Sequence, residues 1–180
     1  MNTPTLAEKL GHTQHDSPLL QKAERLGLGP TDLQTLAVQR GCIHYSTGEE
    51  PPVPLASEEQ FSNEELAIAL LCVALPYDPR SLRCGAAMLG ADNNSPERLA
   101  QLAVRERSVV PVRHVAEAGR KFEPENPFWQ ALLKALPRVI IPDCGALLHP
   151  TRFVAMTGFT RKGPGLVVEW QRPHRPLAAA

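Results

Sequence analysis

Two Cys/His pairs lie in a chain of 180 residues. Cys42 and His44 are two positions apart, and Cys144 and His149 are five apart. Together they offer two sulfurs and two imidazole nitrogens, the donor set of a structural zinc, which takes four such ligands tetrahedrally. The Cys42/His44 spacing is tighter than a usual ligand pair, and no Cys-x-x-Cys occurs. Isolated core thiols and surface imidazoles are therefore favoured over a zinc site. Asp143-Cys144-Gly145 beside His149 also holds an acid, a thiol and a base, the residue types of a cysteine nucleophile. Such groups usually converge from separate segments. No Gly-x-Ser-x-Gly elbow, phosphate-cradling glycine loop or dinucleotide fingerprint accompanies them. No catalytic residue and no cofactor are assigned, with zinc and a thiol-dependent enzyme kept as alternatives.

A second constellation is basic. Arg98 and Arg105 are seven apart, as are Arg113 and Arg120, so each pair falls on one face of its helix. Arg161 and Lys162 add charge in a glycine- and proline-containing turn. Together the six could hold phosphate or an acidic partner. Glu97, Glu106, Glu117 and Glu123 are interspersed and could neutralise them locally, which makes a solvated mixed-charge surface the favoured reading.

Near the N-terminus, Ala23 is followed four residues later by Gly27, and then by Leu33 and Leu36. Over about twenty residues this spacing resembles the helix-turn-helix of DNA-binding proteins. The resemblance implies a second helix reading the major groove. The first turns of that helix hold Pro30, Thr31, Asp32, Gln34 and Thr35, with no basic residue before Arg40. A DNA reader carries a basic footprint, so a structural helical corner is favoured.

Lys plus Arg equals Asp plus Glu at 19 each, yet the charges are unevenly placed. Residues 1–76 hold 4 basic and 10 acidic side chains, a net of −6, and residues 77–180 hold 15 and 9, a net of +6. The halves could attract one another or leave the basic half for an anionic partner. Met1 to Leu20 lacks a basic start followed by an apolar stretch. With Cys72 inside an apolar run and Cys84 among small residues, buried free thiols in a reducing, cytoplasmic setting are expected. The longest apolar run, Leu66 to Leu75, is ten residues, against the eighteen or more of a membrane span.

The elements that would position these groups are read from caps and periodicity. Helices are expected over Pro18 to Leu26, Thr31 to Arg40, Ser62 to Leu75, Asp78 to Leu89, Arg98 to Glu106, Val112 to Arg120 and Pro127 to Leu136. Cys42 to Ser46 and Val139 to Ile141 read as short strands, and Arg152 to Thr160 with Leu166 to Arg172 as a hairpin. The expected fold is mostly α, a bundle of about five to seven short helices with a small C-terminal β-hairpin, with α+β as the alternative. The expected organisation is a helical corner over 1–46, a proline-rich linker over 47–60, a helical core over 61–137, a hairpin region over 138–172 and a tail over 173–180. Well-capped helices without a reactive constellation point to a non-catalytic protein-interaction or regulatory module. Nucleic-acid binding is the alternative.

Overall fold

Most helix starts in this chain combine a capping side chain with proline, and the computed structural model, which describes residues 17–48, 59–141, 147–159 and 166–174, follows them closely. α1 (Pro18–Arg25) is capped by Ser17, whose Oγ accepts from Leu20 N–H. α2 (Pro30–Gln39) starts after Gly29, whose N–H donates to Asp32 at 2.8 Å. α3 (Asn63–Leu70) opens on a reciprocal box: Ser62 N–H donates to Glu65 and Glu65 N–H donates to Ser62 Oγ. Asp78, Ser95 and Asn126 cap α4 (Pro79–Leu89), α5 (Pro96–Arg105) and α7 (Pro127–Ala135). Proline suits these starts because the N–H it lacks would have had no partner in the first turn. α6 (Val109–Phe122) begins earlier than the sequence suggests. Its Pro111 sits in the first turn, where proline is tolerated.

Helix ends are closed by a recurring backbone motif. Leu28 N–H returns to Ala23 O and Gly27 N–H to Glu24 O, with Gly27 at φ 75°. Cys42, Gly41 and α2 repeat the pattern, with Gly41 at φ 114°. α5 ends the same way on Arg107, at φ 55°, the one non-glycine residue of positive φ among those described.

The helices form a bundle around α3. Six of its residues, from Glu65 to Leu70, are buried, and it touches α1, α2, α4 and α5. Gly85 of α4 lets the two helices close: a Cβ there would lie 2.8 Å from Leu71 Cγ. α5, α6 and α7 pack against one another, and Trp129 of α7 is fully buried. A Cβ on Gly119 of α6 would collide with its indole. A 3₁₀ turn, Pro150–Phe153, leads into β1 (Val154–Phe159), which pairs antiparallel with β2 (Leu166–Trp170), with an irregularity between Met156 and Phe159. Trp170 brings β2 onto the helices, its ring 4.8 Å from that of Trp129. One contiguous apolar core runs from Leu19 to Trp170.

Three expectations are corrected. The helix expected through Leu75 stops at Leu70. Pro76 keeps Leu75 out of the helical region, and the chain must turn before Asp78 caps α4. The strand expected over Cys42 to Ser46 is a 3₁₀ turn, Ile43–Tyr45, because the closure of α2 on Gly41 and Cys42 leads directly into it. Val139 to Ile141 form no strand, and Ile140 is 93% exposed. A strand needs a partner edge, and the sheet among the described residues has two strands only. Neither Ile43 nor Val139 joins it. The proline-rich stretch 49–58 and the turn between β1 and β2 lie outside the described residues.

Candidate functional site

The early end of α3 creates the most site-like feature of the surface. Between Leu70 and Tyr77 the chain leaves the helix, turns through Cys72 to Leu75, and reaches Pro76. The space beside this turn is a cavity of about 290 Å³, walled by Leu71, Cys72, Leu75, Leu82, Val110 and Leu147 among others. A second hollow of about 170 Å³, formed by α1 and α2 through Leu20, Ala23, Leu28 and Leu33, shares Leu75 and Pro76 with it. The two hollows adjoin at Leu75 and Pro76 on either side of the turn, and together they are called the groove. Val73 and Tyr77, 65% and 59% exposed, stand in its wall. Exposed apolar side chains beside an apolar hollow are a feature of binding grooves more than of inert surface.

Asp78, Ser81 and Cys72 of the wall are engaged by their neighbours. Gln34 of α2 is buried, and its amide donates to Asp78 and, at 2.8 Å, to Ser81. Asp78 also accepts from Arg80 N–H while capping α4. Cys72 is buried, with its sulfur 4.0 Å from the Glu106 carbonyl oxygen. Glu106, itself buried, holds α1 in place by accepting from Ser17 Oγ at 2.5 Å and Leu19 N–H at 3.4 Å. The charged wall residues are Asp78 in the larger hollow and Glu24 in the smaller, both acidic. The arrangement offers shape, apolar area and a slight acidic bias. Ser81 Oγ lies 3.5 Å from the Asp78 carboxylate while accepting from the Gln34 amide, and Asp78 is itself engaged as the cap of α4.

The groups singled out from the sequence lie elsewhere. Cys42 is buried while His44 is exposed, and His149 is exposed with Nδ1 2.9 Å from Thr151 Oγ1. Cys144 lies outside the described residues. Burial, and secondarily the neighbouring Cys84, pushes the Cys42 thiol far above its usual range, which opposes the thiolate that zinc ligation needs. No cluster of three or more metal-binding side chains occurs among the described residues. Cys42, Cys72 and Cys84 are buried free thiols.

The arginines do not form a bare ridge where they are described. Arg98 is 3.8 Å from Glu64, Arg105 is 3.1 Å from Glu106, and Arg113 is 3.2 Å from Glu117. Arg113 also donates to the carbonyls of Leu133 and Pro137. Arg120 is exposed, and Arg161 and Lys162 lie outside the described residues. In the helix-turn-helix-like corner, Gln34 and Thr35 of the second helix are buried against the bundle.

No family model, no curated protein and no solved structure matches this chain.

No helix among the described residues is long and apolar enough to cross a membrane. The groove escaped the sequence reading because residues 71–75 read as a continuation of α3. The signal available was Pro76, which limits any helix running into it. Two other groups were also missed. Glu123, read as one of several neutralising acids, instead gathers Arg172, Trp129 and Asn126. His174, placed in the tail, meets His44 edge to face.

Proposed function

We propose that this protein is a non-catalytic interaction module whose groove receives an apolar segment of a partner protein, flanked by basic side chains. The observation that carries the reading is the pair of adjoining apolar hollows, with Val73 and Tyr77 exposed in the wall of the larger. Two hollows that adjoin at Leu75 and Pro76 suit two successive apolar side chains of one segment, as when an amphipathic helix is laid in a groove. The charged wall residues, Asp78 and Glu24, favour lysine or arginine beside those anchors. In this reading the helical bundle is the scaffold, and Trp170 seats the C-terminal strand against it.

The test is fluorescence anisotropy with two labelled leucine-bearing amphipathic peptides, one lysine-flanked and one glutamate-flanked. The lysine-flanked peptide binds more tightly, and Val73→Asp, an exposed position that the fold does not need, weakens it at least tenfold. Binding of neither peptide, or equal affinity for wild type and Val73→Asp, overturns the proposal. So does occupation of the groove by a medium-chain alcohol with no peptide binding, since that marks a small-ligand pocket.

A further inference from the structure

His44 and His174 come from distant parts of the chain and meet at the surface. The 3₁₀ turn Ile43–Tyr45 carries one, and the segment following β2 carries the other. Their backbones are locked together, with His174 N–H donating to Gly41 O at 2.8 Å. A Cβ on Gly41 would lie 2.5 Å from the His174 carbonyl oxygen, so glycine permits the approach as well as the φ of 114°. The two imidazole centroids are 5.3 Å apart, with planes at 67°. Both residues are exposed, and neither ring makes a hydrogen bond to another described residue.

That separation, ordinary for an edge-to-face pair, is also short enough for both rings to reach one metal ion. With one nitrogen of each ring turned toward a common ion at about 2.1 Å, each centroid sits roughly 3.2 Å from it, and a tetrahedral angle puts the two centroids about 5.2 Å apart. We infer that His44 and His174 form a two-imidazole site for a divalent transition-metal ion, with water completing its shell. Imidazole nitrogen suits zinc, copper and nickel. Cys42, next to the turn, is buried and contributes no ligand. The bound ion would clip the C-terminal segment to the end of α2, reinforcing the His174–Gly41 hydrogen bond. This site is independent of the groove.

The experiment is a zinc chloride titration of metal-free, untagged protein. The imidazole carbon–proton resonances are followed by NMR, and each variant's fold is checked by circular dichroism. His44 and His174 should shift together and saturate, while His114 and His149 stay in place. His44→Ala and His174→Ala should each weaken binding at least tenfold, and His149→Ala should leave it unchanged. Zinc should also slow exchange of the His174 amide proton. Absence of a saturable shift at millimolar zinc overturns the inference and leaves the two rings as an edge-to-face aromatic contact. Undiminished binding by either folded single variant also overturns it.

Discussion

At the scale of single residues, Glu123 shows how much one side chain can hold together. Its carboxylate accepts from both Arg172 guanidinium nitrogens, from Trp129 Nε1 at 2.6 Å and from Asn126 Nδ2 at 3.0 Å. Burial alone would raise its pKa. The hydrogen bonds from Arg172, Trp129 and Asn126, with the Arg172 charge, outweigh burial and bring it below its ordinary 4.5. Glu65, held by Lys22 and the Ser62 N–H, is lowered in the same way against its burial. A carboxylate depressed on folding stabilises the fold above its unfolded pKa and loses that contribution as pH falls through the folded one. Stability should therefore drop below about pH 4.5. Glu123→Gln should cost about 1–2 kcal/mol at pH 7, since the pair is partly exposed, and the difference from wild type should shrink by pH 3. Urea titrations at the two pH values measure both effects, and a penalty independent of pH would contradict the account.

At the scale of elements, the helices are legible because their punctuation is local. A cap followed by proline fixes a start within a few residues, as at Ser17-Pro18, Asp78-Pro79, Ser95-Pro96 and Asn126-Pro127. Ends are harder to read. Gly27 and Gly41 announce theirs, but α5 closes on Arg107, whose φ of 55° strains an L-residue. Arg107 is exposed, so its side chain packs little. Arg107→Gly should raise stability by up to about 1 kcal/mol, strain relief exceeding the entropy that glycine adds to the unfolded chain. A lower melting temperature for the glycine variant would show that the side chain does more than the turn requires. The short apolar stretches misread as strands fail for a different reason. Alternation over five residues or a run of three cannot create a partner edge, and Ile43 and Ile140 are exposed instead.

At the scale of the whole molecule, the C-terminal strands and the helices share a core through Trp170. Its ring lies against Trp129 at 4.8 Å and Phe153 at 6.1 Å, and a Cβ on Gly90 would come within 2.8 Å of its Nε1. Arg172 extends the junction by donating to Gly90 O and to Glu123. The indole N–H of Trp170 is buried with no hydrogen-bond partner among the described residues, an unfavourable term that tempers the gain from burial. Trp170→Ala should still cost about 3 kcal/mol, at the low end for a buried aromatic. Unfolding should remain one transition, with circular dichroism and Trp129 fluorescence coinciding. A loss below about 1 kcal/mol, or two separated transitions, would mean that the strand pair only rests on the bundle.

Much of the architecture was written in local sequence. The caps, the Ser62–Glu65 box and the closing glycines act over three to five residues, so they can be read without knowing what packs where. The apolar residues around α3 likewise announced a central helix. The candidate site was not legible in the same way. The groove exists because α3 stops before its apolar run does, and because α1, α2, α4 and α6 happen to border the turn that follows. The pairing of His44 with His174, like that of Glu123 with Arg172, joins positions far apart in the chain, and no spacing rule reaches across such a distance. Local chemistry determined where helices begin. Only tertiary packing decided which charges were neutralised, which apolar side chains stayed exposed, and where a partner could sit.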